Sequence, residues 1–208
     1  MNGASVTRPQ VRPGGGRQTA AAAGFSFVEL MLVAGVMATM SLVAIGTIRQ
    51  AVERYRTAGA ARYLAGRLQR ARSDAVARGA SVALRFSPPG DPVTFSVFVD
   101  GNRNGVLSSD IAAGVDTEIA APTDLSSFAG VSFGVIAGVV SPEGEVLSGE
   151  PIHCGAARMA SFTTRGTATS GSFYIRGKTE QFVVRVYGDT GKTSIMRFDV
   201  GRRQWVAL

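Results

Sequence analysis

Residues 24–35 read GFSFVELMLVAG, and they begin an apolar run that carries one charge, Glu29. The run extends from Phe25 to Ile48, which is 24 residues. As an α-helix it would be about 36 Å long at about 1.5 Å per residue, and the hydrocarbon core of a bilayer is about 30 Å thick. Length and composition therefore predict a transmembrane helix over 25–48.

The residues before this run differ from an ordinary secretory signal. Residues 1–24 contain three arginines and no acid, and the small residues AAAAG stand directly before the apolar run rather than after it. Cleavage at this point would remove the basic leader, 1–24, and leave the hydrophobic helix on the product. By the positive-inside rule the leader would stay in the cytoplasm and the rest of the chain would lie across the membrane.

This reversed order resembles the processing site of type IV prepilins and type II secretion pseudopilins, in the stretch GFSFVEL, residues 24–30. The resemblance implies that a prepilin peptidase cuts after Gly24 and methylates the new N-terminal Phe25. Glu29 then stands at the fifth position of the mature chain, where the family has its signature acid. The sequence departs from the family pattern in that no base directly precedes Gly24 and no proline interrupts the helix.

A charge at Glu29 needs a compensating partner if this segment lies in a membrane. A carboxylate costs about 2.5 to 3.5 kcal/mol at the centre of a spanning helix and less near the interface. Cleavage would create the ammonium of Phe25, and pairing with Glu29 of the same or a neighbouring subunit would reduce the desolvation penalty of both charges. The resemblance implies that this acid guides assembly. The alternative is a side chain that snorkels to the interface.

An amphipathic segment follows at 49–78. Its apolar residues recur at spacings of three and four, and arginines fill the other face. The apolar positions are Val52, Tyr55, Ala58, Ala61, Leu64, Leu68, Ala71 and Ala75. The pattern predicts one helix from Phe25 to about Ala77, capped by Gly79, whose second half packs on a globular head. The arginines indicate a solvated face or contact with lipid headgroups, because only two aromatic residues, Tyr55 and Tyr63, interleave with them to stack nucleic-acid bases.

Residues 79–208 predict a β-rich head. Short segments rich in Val, Ile, Phe and Thr alternate with Gly, Pro, Asp or Asn turns, and no strand–helix–strand order indicates a doubly wound sheet. The predicted strands lie within 81–86, 93–100, 131–136, 159–164, 172–177, 181–188, 193–200 and 204–208. The sequence thus predicts a pilin-like α+β fold in which a long N-terminal helix packs on a mainly antiparallel β-sandwich head.

Within the pilin-like group the chain is similar to the pseudopilin H and FimT-type minor pilins. The similarity lies in an Arg- and Ala-rich helix end followed by a strand, at 60–86, and in a polar hairpin around Gly166 and Gly171. It implies a non-enzymatic subunit at or near the tip of a type II secretion pseudopilus or type IV pilus. It also implies a single-pass protein of the bacterial inner membrane with a periplasmic head. The implied partners are other pilin-like subunits, the prepilin peptidase and secreted cargo.

The segment DGNRNGVLSSD resembles a calcium-binding loop. Asp100, Asn102 and Asn104 have the alternating spacing of the oxygen ligands in an EF-hand. The position of the bidentate glutamate is Ile111, however, and Asp110 comes one residue early. A tight Asn/Gly turn between strands explains the same residues without metal. Both a calcium site and a metal-free turn are therefore open.

Candidates for catalysis are few. His153 is the one histidine and stands beside Cys154, the one cysteine. Neighbouring side chains on a strand point to opposite faces, which argues against a nucleophile–base pair. No zinc cluster, phosphate loop or serine elbow is found. We expect Cys154 to be a small buried hydrophobe and the chain to be no enzyme, with a membrane-tethered enzyme as a further alternative.

Charge is distributed unevenly along the chain. Net charge is +6 over residues 49–78, −5 over 79–175 and +4 over 176–208. FimT-type minor pilins that take up DNA resemble one another in a C-terminal Gly-Arg-x-Arg turn, which the sequence matches in part at GKTS and at GRRQ. Lys192, Arg202 and Arg203 are therefore candidate DNA contacts, and a DNA-receptor minor pilin is the alternative function.

Overall fold

The computed structural model describes residues 24–90, 92–147 and 149–208, without the side chains of 42–46. The predicted leader, apart from Gly24, lies outside the described residues. The chain divides after Ala44 into two units, which are described separately. One helix of 52 residues, α1 (Phe27–Arg78), contributes residues to both units.

Both ends of α1 have an identifiable physical cause. Glu29 lies in the first turn, where a negative charge interacts favourably with the helix dipole. After the last turn, Gly79 has a φ of +63°, a left-handed conformation that commonly ends a helix. The observed bounds agree with the predicted helix from Phe25 to about Ala77.

The predicted membrane span is not confirmed. No helix in the described part of the chain is both long enough and apolar enough to cross a membrane. The span over 25–48 therefore stays a prediction.

The described residues of the head contain ten strands and a short second helix. These elements are β1 (Val82–Phe86), β2 (Phe95–Val99), α2 (Ser108–Ala112), β3 (Thr117–Thr123), β4 (Ser132–Phe133), β5 (Ile152–His153), β6 (Met159–Phe162), β7 (Gly171–Arg176), β8 (Gln181–Val186), β9 (Thr193–Asp199) and β10 (Gln204–Ala207). Each of the eight predicted segments overlaps one strand, while β3, β5 and α2 were not predicted.

The strands form two antiparallel sheets. The first has the order β3-β2-β1-β6, and the second has the order β10-β9-β8-β7-β4, with β5 also paired to β7. In the first sheet Leu84 lies opposite Val97 and Ala160. In the second, Val184 lies opposite Phe173 and Ile195. The α+β class and the antiparallel head are confirmed.

One hydrophobic core joins α1 to both sheets. Ala61, Leu64 and Leu68 of α1 are completely buried, and they belong to the same cluster as Leu84 of β1 and Val184 of β8. Aromatic rings connect the sheets within this core, because the rings of Phe86 in β1 and Phe173 in β7 stack with centroids 4.9 Å apart. The head is therefore organised around one face of the helix.

Two residues of the predicted apolar stripe do not belong to the packed face. Val52 is 40% exposed and Tyr55 is 76% exposed, whereas Ala58 and Ala61 are buried. The apolar spacing is continuous through these positions, but among the α1 side chains that the structure describes the first completely buried one is Thr57. The prediction that Val52 and Tyr55 pack on the head is wrong.

Glu53 connects α1 to the turn between β7 and β8. Its Oε1 accepts a hydrogen bond of 2.6 Å from the backbone N–H of Thr179. Burial raises the pKa of the Glu53 carboxyl, but the backbone N–H groups of Thr179, Lys178 and Glu180 together outweigh burial, so the pKa lies below its usual value. A Cβ at Gly177 would lie 2.8 Å from Oε1, so the close approach requires glycine there.

We expect Glu53→Ala to lower the free energy of unfolding by about 0.5 to 1.5 kcal/mol at neutral pH, because the exposed N–H of Thr179 exchanges a hydrogen bond to the carboxylate for one to water. Folding lowers the pKa of Glu53, so its contribution is present above the unfolded value of about 4.3 and is lost as the pH falls through the lower folded value. Urea unfolding of wild type and variant across this range measures the effect.

The matched control is Glu118→Ala, since Glu118 is an exposed acid on β3 whose side chain makes no hydrogen bond or ion pair with the described residues. The control should unfold like the wild type. A stability difference for Glu53→Ala that stays constant down to pH about 2 would contradict the role of the ionised carboxylate.

Candidate assembly and binding surfaces

The predicted processing and assembly residues lie at the described start of the chain. Gly24 and Phe25 precede α1, and Phe25 is 82% exposed. Glu29 is exposed, and its side chain makes no hydrogen bond or ion pair with any described residue. Ser26 and Glu29 also have the spacing of a helix capping box, a local signal that the sequence reasoning missed. Cleavage, methylation and charge pairing at these residues stay predictions.

The first turns of α1 present a large apolar surface that no described residue covers. The exposed apolar side chains are Phe27, Val28, Leu30, Met31, Leu32, Val33, Val36, Met37 and Met40. Monomeric soluble proteins rarely expose contiguous apolar patches of more than a few hundred Å². A helix surface of this kind is typical of an interaction surface.

Two polar side chains of α1 hold turns of the head. Gln69 Nε2 donates to Thr193 Oγ1 at 2.9 Å, and Arg72 Nε donates to the carbonyl of Gly166 at 3.0 Å. Gly191 is packed between these groups, because a Cβ there would clash with the carbonyl oxygen of Gly166 and would lie 2.9 Å from Arg72 Nε. The polar hairpin around Gly166 is thus fixed to the far half of α1.

The structure does not bring the three candidate DNA contacts together. Lys192 lies in the turn before β9, whereas Arg202 and Arg203 lie in the turn after it, and all three are exposed. A strand of seven residues separates the two turns by about 20 Å. Phosphate binding gains from clustered bases, so this separation weakens the alternative. DNA contact stays a prediction, to be tested by salt-dependent binding of the full chain and of a triple alanine variant.

The candidate calcium loop is closed by hydrogen bonds to Asp100. Its Oδ1 accepts from the backbone N–H groups of Asn102 at 3.1 Å and Arg103 at 2.6 Å. Its Oδ2 accepts from the N–H of Gly105 at 2.8 Å. Asp100 is 6% exposed, and both of its carboxylate oxygens accept hydrogen bonds from the backbone of the turn.

The other acids of the loop are used in the same way. Asp110 Oδ2 accepts from the side-chain amides of Asn104 and Asn102, each at 2.9 Å, and these amides lower the pKa of Asp110. Asp116 accepts from two backbone N–H groups of the loop. Within the described ranges, no group of three or more His, Cys, Asp or Glu could hold a metal ion. Calcium binding stays a prediction, and amide donors account for the loop's conformation.

We expect Asp100→Ala to lower the free energy of unfolding by about 1 to 3 kcal/mol, because three backbone N–H groups lose their acceptor. Asp189→Ala, at an exposed acid in the turn between β8 and β9, is the control and should have little effect. The melting temperature of the wild type should be the same in chelator and in calcium. A rise that grows with calcium concentration would indicate binding and contradict a metal-free loop.

Cys154 and His153 lie in different environments. Cys154 is 3% exposed, and burial raises the pKa of its thiol to about 12, so it is no nucleophile at neutral pH. The exposed His153 places Nε2 at 2.7 Å from the carbonyl oxygen of Glu150 and packs edge-on against the ring of Tyr174. The prediction of a buried, hydrophobic cysteine is confirmed.

A comparison with known families gives a match over most of the head. The model of the family described as type II transport protein GspH matches residues 60–190, which is more than half of the chain. The matched range begins on the buried part of α1 and ends in the turn between β8 and β9. No curated protein and no solved structure matches the chain.

Proposed function

The chain belongs to the GspH family of type II transport proteins, and we propose that it is a minor pseudopilin incorporated at or near the tip of a type II secretion pseudopilus. The observation that supports incorporation is the apolar surface at the start of α1, which no described residue covers. Other pilin-like helices would bury this surface in a filament. The role is structural, and packing against sibling subunits is its physical basis.

Processing would precede assembly. In this proposal a prepilin peptidase cuts after Gly24 and methylates Phe25, and residues 25–48 then hold the chain in the inner membrane with the head in the periplasm. The exposure of Phe25 before α1 supports access to the cleavage site. The apolar run would reside in lipid until neighbouring helices replace it.

Glu29 would provide the polar contact that selects the register between subunits. No described residue of its own chain pairs with the carboxylate, so its partner would come from the ammonium that cleavage creates, on the same or a neighbouring chain. Hydrophobic contact between helices is non-directional, whereas an ion pair has one favourable position. A single acid on an apolar surface can therefore set how subunits align.

The head would face cargo or sibling heads. β3 and β10 are the terminal strands of their sheets in the strand orders above, and such edges present backbone N–H and C=O groups that can pair with another chain. Contact with secreted cargo is part of the proposal.

We expect Glu29→Ala to leave cleavage after Gly24 intact and to reduce incorporation into filaments at least tenfold. Breaking a buried ion pair by removing one partner costs about 3 to 5 kcal/mol. Crosslinking in the native cell, followed by mass spectrometry, measures both the N-terminus of the chain and the captured subunits.

Asp189→Ala, at an exposed acid in the turn between β8 and β9, is the control for a general loss of negative charge and should assemble normally. Normal incorporation of Glu29→Ala would contradict the role of the carboxylate. Capture of no pilin-like subunit by the wild type would contradict the proposed function itself.

A further inference from the structure

Two clefts flank α1 in the unit that begins at Ile45. The first, of about 650 Å³, is lined by Ile48 and Val52 of α1 and by Lys178 in the turn between β7 and β8. The second, of about 560 Å³, is lined by Ala58 of α1 and by Phe182 of β8, among others. Both clefts therefore combine apolar and cationic side chains next to the same stretch of helix.

The clefts carry an excess of unpaired positive charge. The first is lined by Arg49, Arg56 and Lys178, and the second by Arg54, Arg62 and Arg197. Arg197 lies 3.7 Å from Glu180, while the other five cations are exposed and their side chains make no hydrogen bond or ion pair with the described residues. The two acids that line the clefts are already engaged, Glu180 by Arg197 and Glu53 by Thr179.

Farther along α1, two of the four arginines are engaged. Arg70 forms an ion pair with Asp74, and Arg72 donates to the carbonyl of Gly166, whereas the side chains of Arg67 and Arg78 have no partner among the described residues. All four arginines within 49–62 are unpaired in the same sense, so the unpaired cations are denser on the stretch of α1 that directly follows the apolar run. We call this set, Arg49, Arg54, Arg56, Arg62 and Lys178, the basic collar.

We propose that the basic collar binds the headgroups of anionic phospholipids in the two clefts. This inference rests on the proposed membrane anchor, since residues 25–48 would place the collar at the bilayer surface. Arg49 follows the last residue of the apolar run, Ile48, and Arg56 comes about 12 Å beyond Ile48 along the helix. A headgroup layer is about 5 to 8 Å deep, and the long side chains of Arg54 and Arg56 can extend back toward it. Guanidinium groups form paired hydrogen bonds with phosphate oxygens, and the apolar lining suits the glycerol and upper acyl carbons.

The sequence position of the collar favours a lipid over other polyanions. On the proposed topology these arginines face the periplasm, the side on which the positive-inside rule disfavours them. Attraction to anionic headgroups, about 1 kcal/mol for each Lys or Arg near the surface, offsets that disadvantage. Nucleic acid is a poorer candidate, because among the described residues Tyr55 is the one exposed aromatic side chain that lines either cleft, and stacking of several bases needs more.

The test uses the full chain in bilayer nanodiscs made from equal amounts of phosphatidylglycerol and phosphatidylcholine. Native mass spectrometry then counts the lipids that stay bound to the released protein. The wild type should retain phosphatidylglycerol preferentially. The double variant Arg54→Gln/Arg56→Gln should lose about fivefold in this preference for each charge removed, and added salt should reduce it further.

Arg78→Gln is the matched control, because Arg78 is an exposed, unpaired arginine in the last turn of α1, about 33 Å along the helix from Arg56. It should retain phosphatidylglycerol like the wild type. All variants should have the same melting temperature as the wild type, since the replaced side chains are exposed.

The outcomes distinguish lipid binding by the basic collar from the proposed membrane anchor and from filament assembly. Insertion without a preference for phosphatidylglycerol, or an equal loss in Arg78→Gln, would overturn lipid binding by the collar and leave the anchor intact. Failure of the chain to enter nanodiscs would overturn the anchor and this inference together. Neither result depends on other pilin-like subunits, so filament assembly is judged independently by the crosslinking experiment.

Discussion

The packing of one face of α1 against two antiparallel sheets is the interaction on which the rest of the structure depends. Ala61, Leu64 and Leu68 are completely buried there, in a cluster that contains strands of both sheets. Small side chains dominate this face, so the helix backbone lies close to the strands. At Gly59 a Cβ would lie 3.2 Å from the Phe128 ring. Larger residues on such a face would overpack it, at a cost of about 1 to 3 kcal/mol.

Hydrophobic packing alone does not determine how far the helix slides along the head, because it is non-directional. Three polar side chains of α1 fix its position along the head through directional hydrogen bonds. Glu53, Gln69 and Arg72 each contact a different part of the head's loops and strand ends. They lie on both sides of the most buried stretch of the helix. The apolar face thus provides most of the cohesion, while these contacts select one alignment between helix and sheets.

Most of this architecture can be predicted from local patterns in the sequence. The remainder depends on contacts between residues far apart in the sequence, which local patterns do not show. The helix and eight strands follow from apolar spacing and turn residues, whereas β3 is an exposed edge strand that contains Pro122 and lacks apolar alternation. Val52 and Tyr55 continue a helical period beyond the point where the head covers it. The contact of Glu53 with Thr179 joins residues 126 positions apart, which no periodicity reveals. The processing signature, by contrast, is linear and needs no fold to be read.

The burial of Cys154 has a practical consequence for studying this chain. With a thiol pKa of about 12, the buried side chain stays protonated at neutral pH. Maleimides and thiol-reactive nitroxide reagents react with thiolates, so the native cysteine would remain unlabelled and need not be replaced. A second cysteine at an exposed position of α1, such as Arg78, would then be the single reactive group. Spectroscopic probes can therefore report distances between copies in the proposed filament from an otherwise natural sequence.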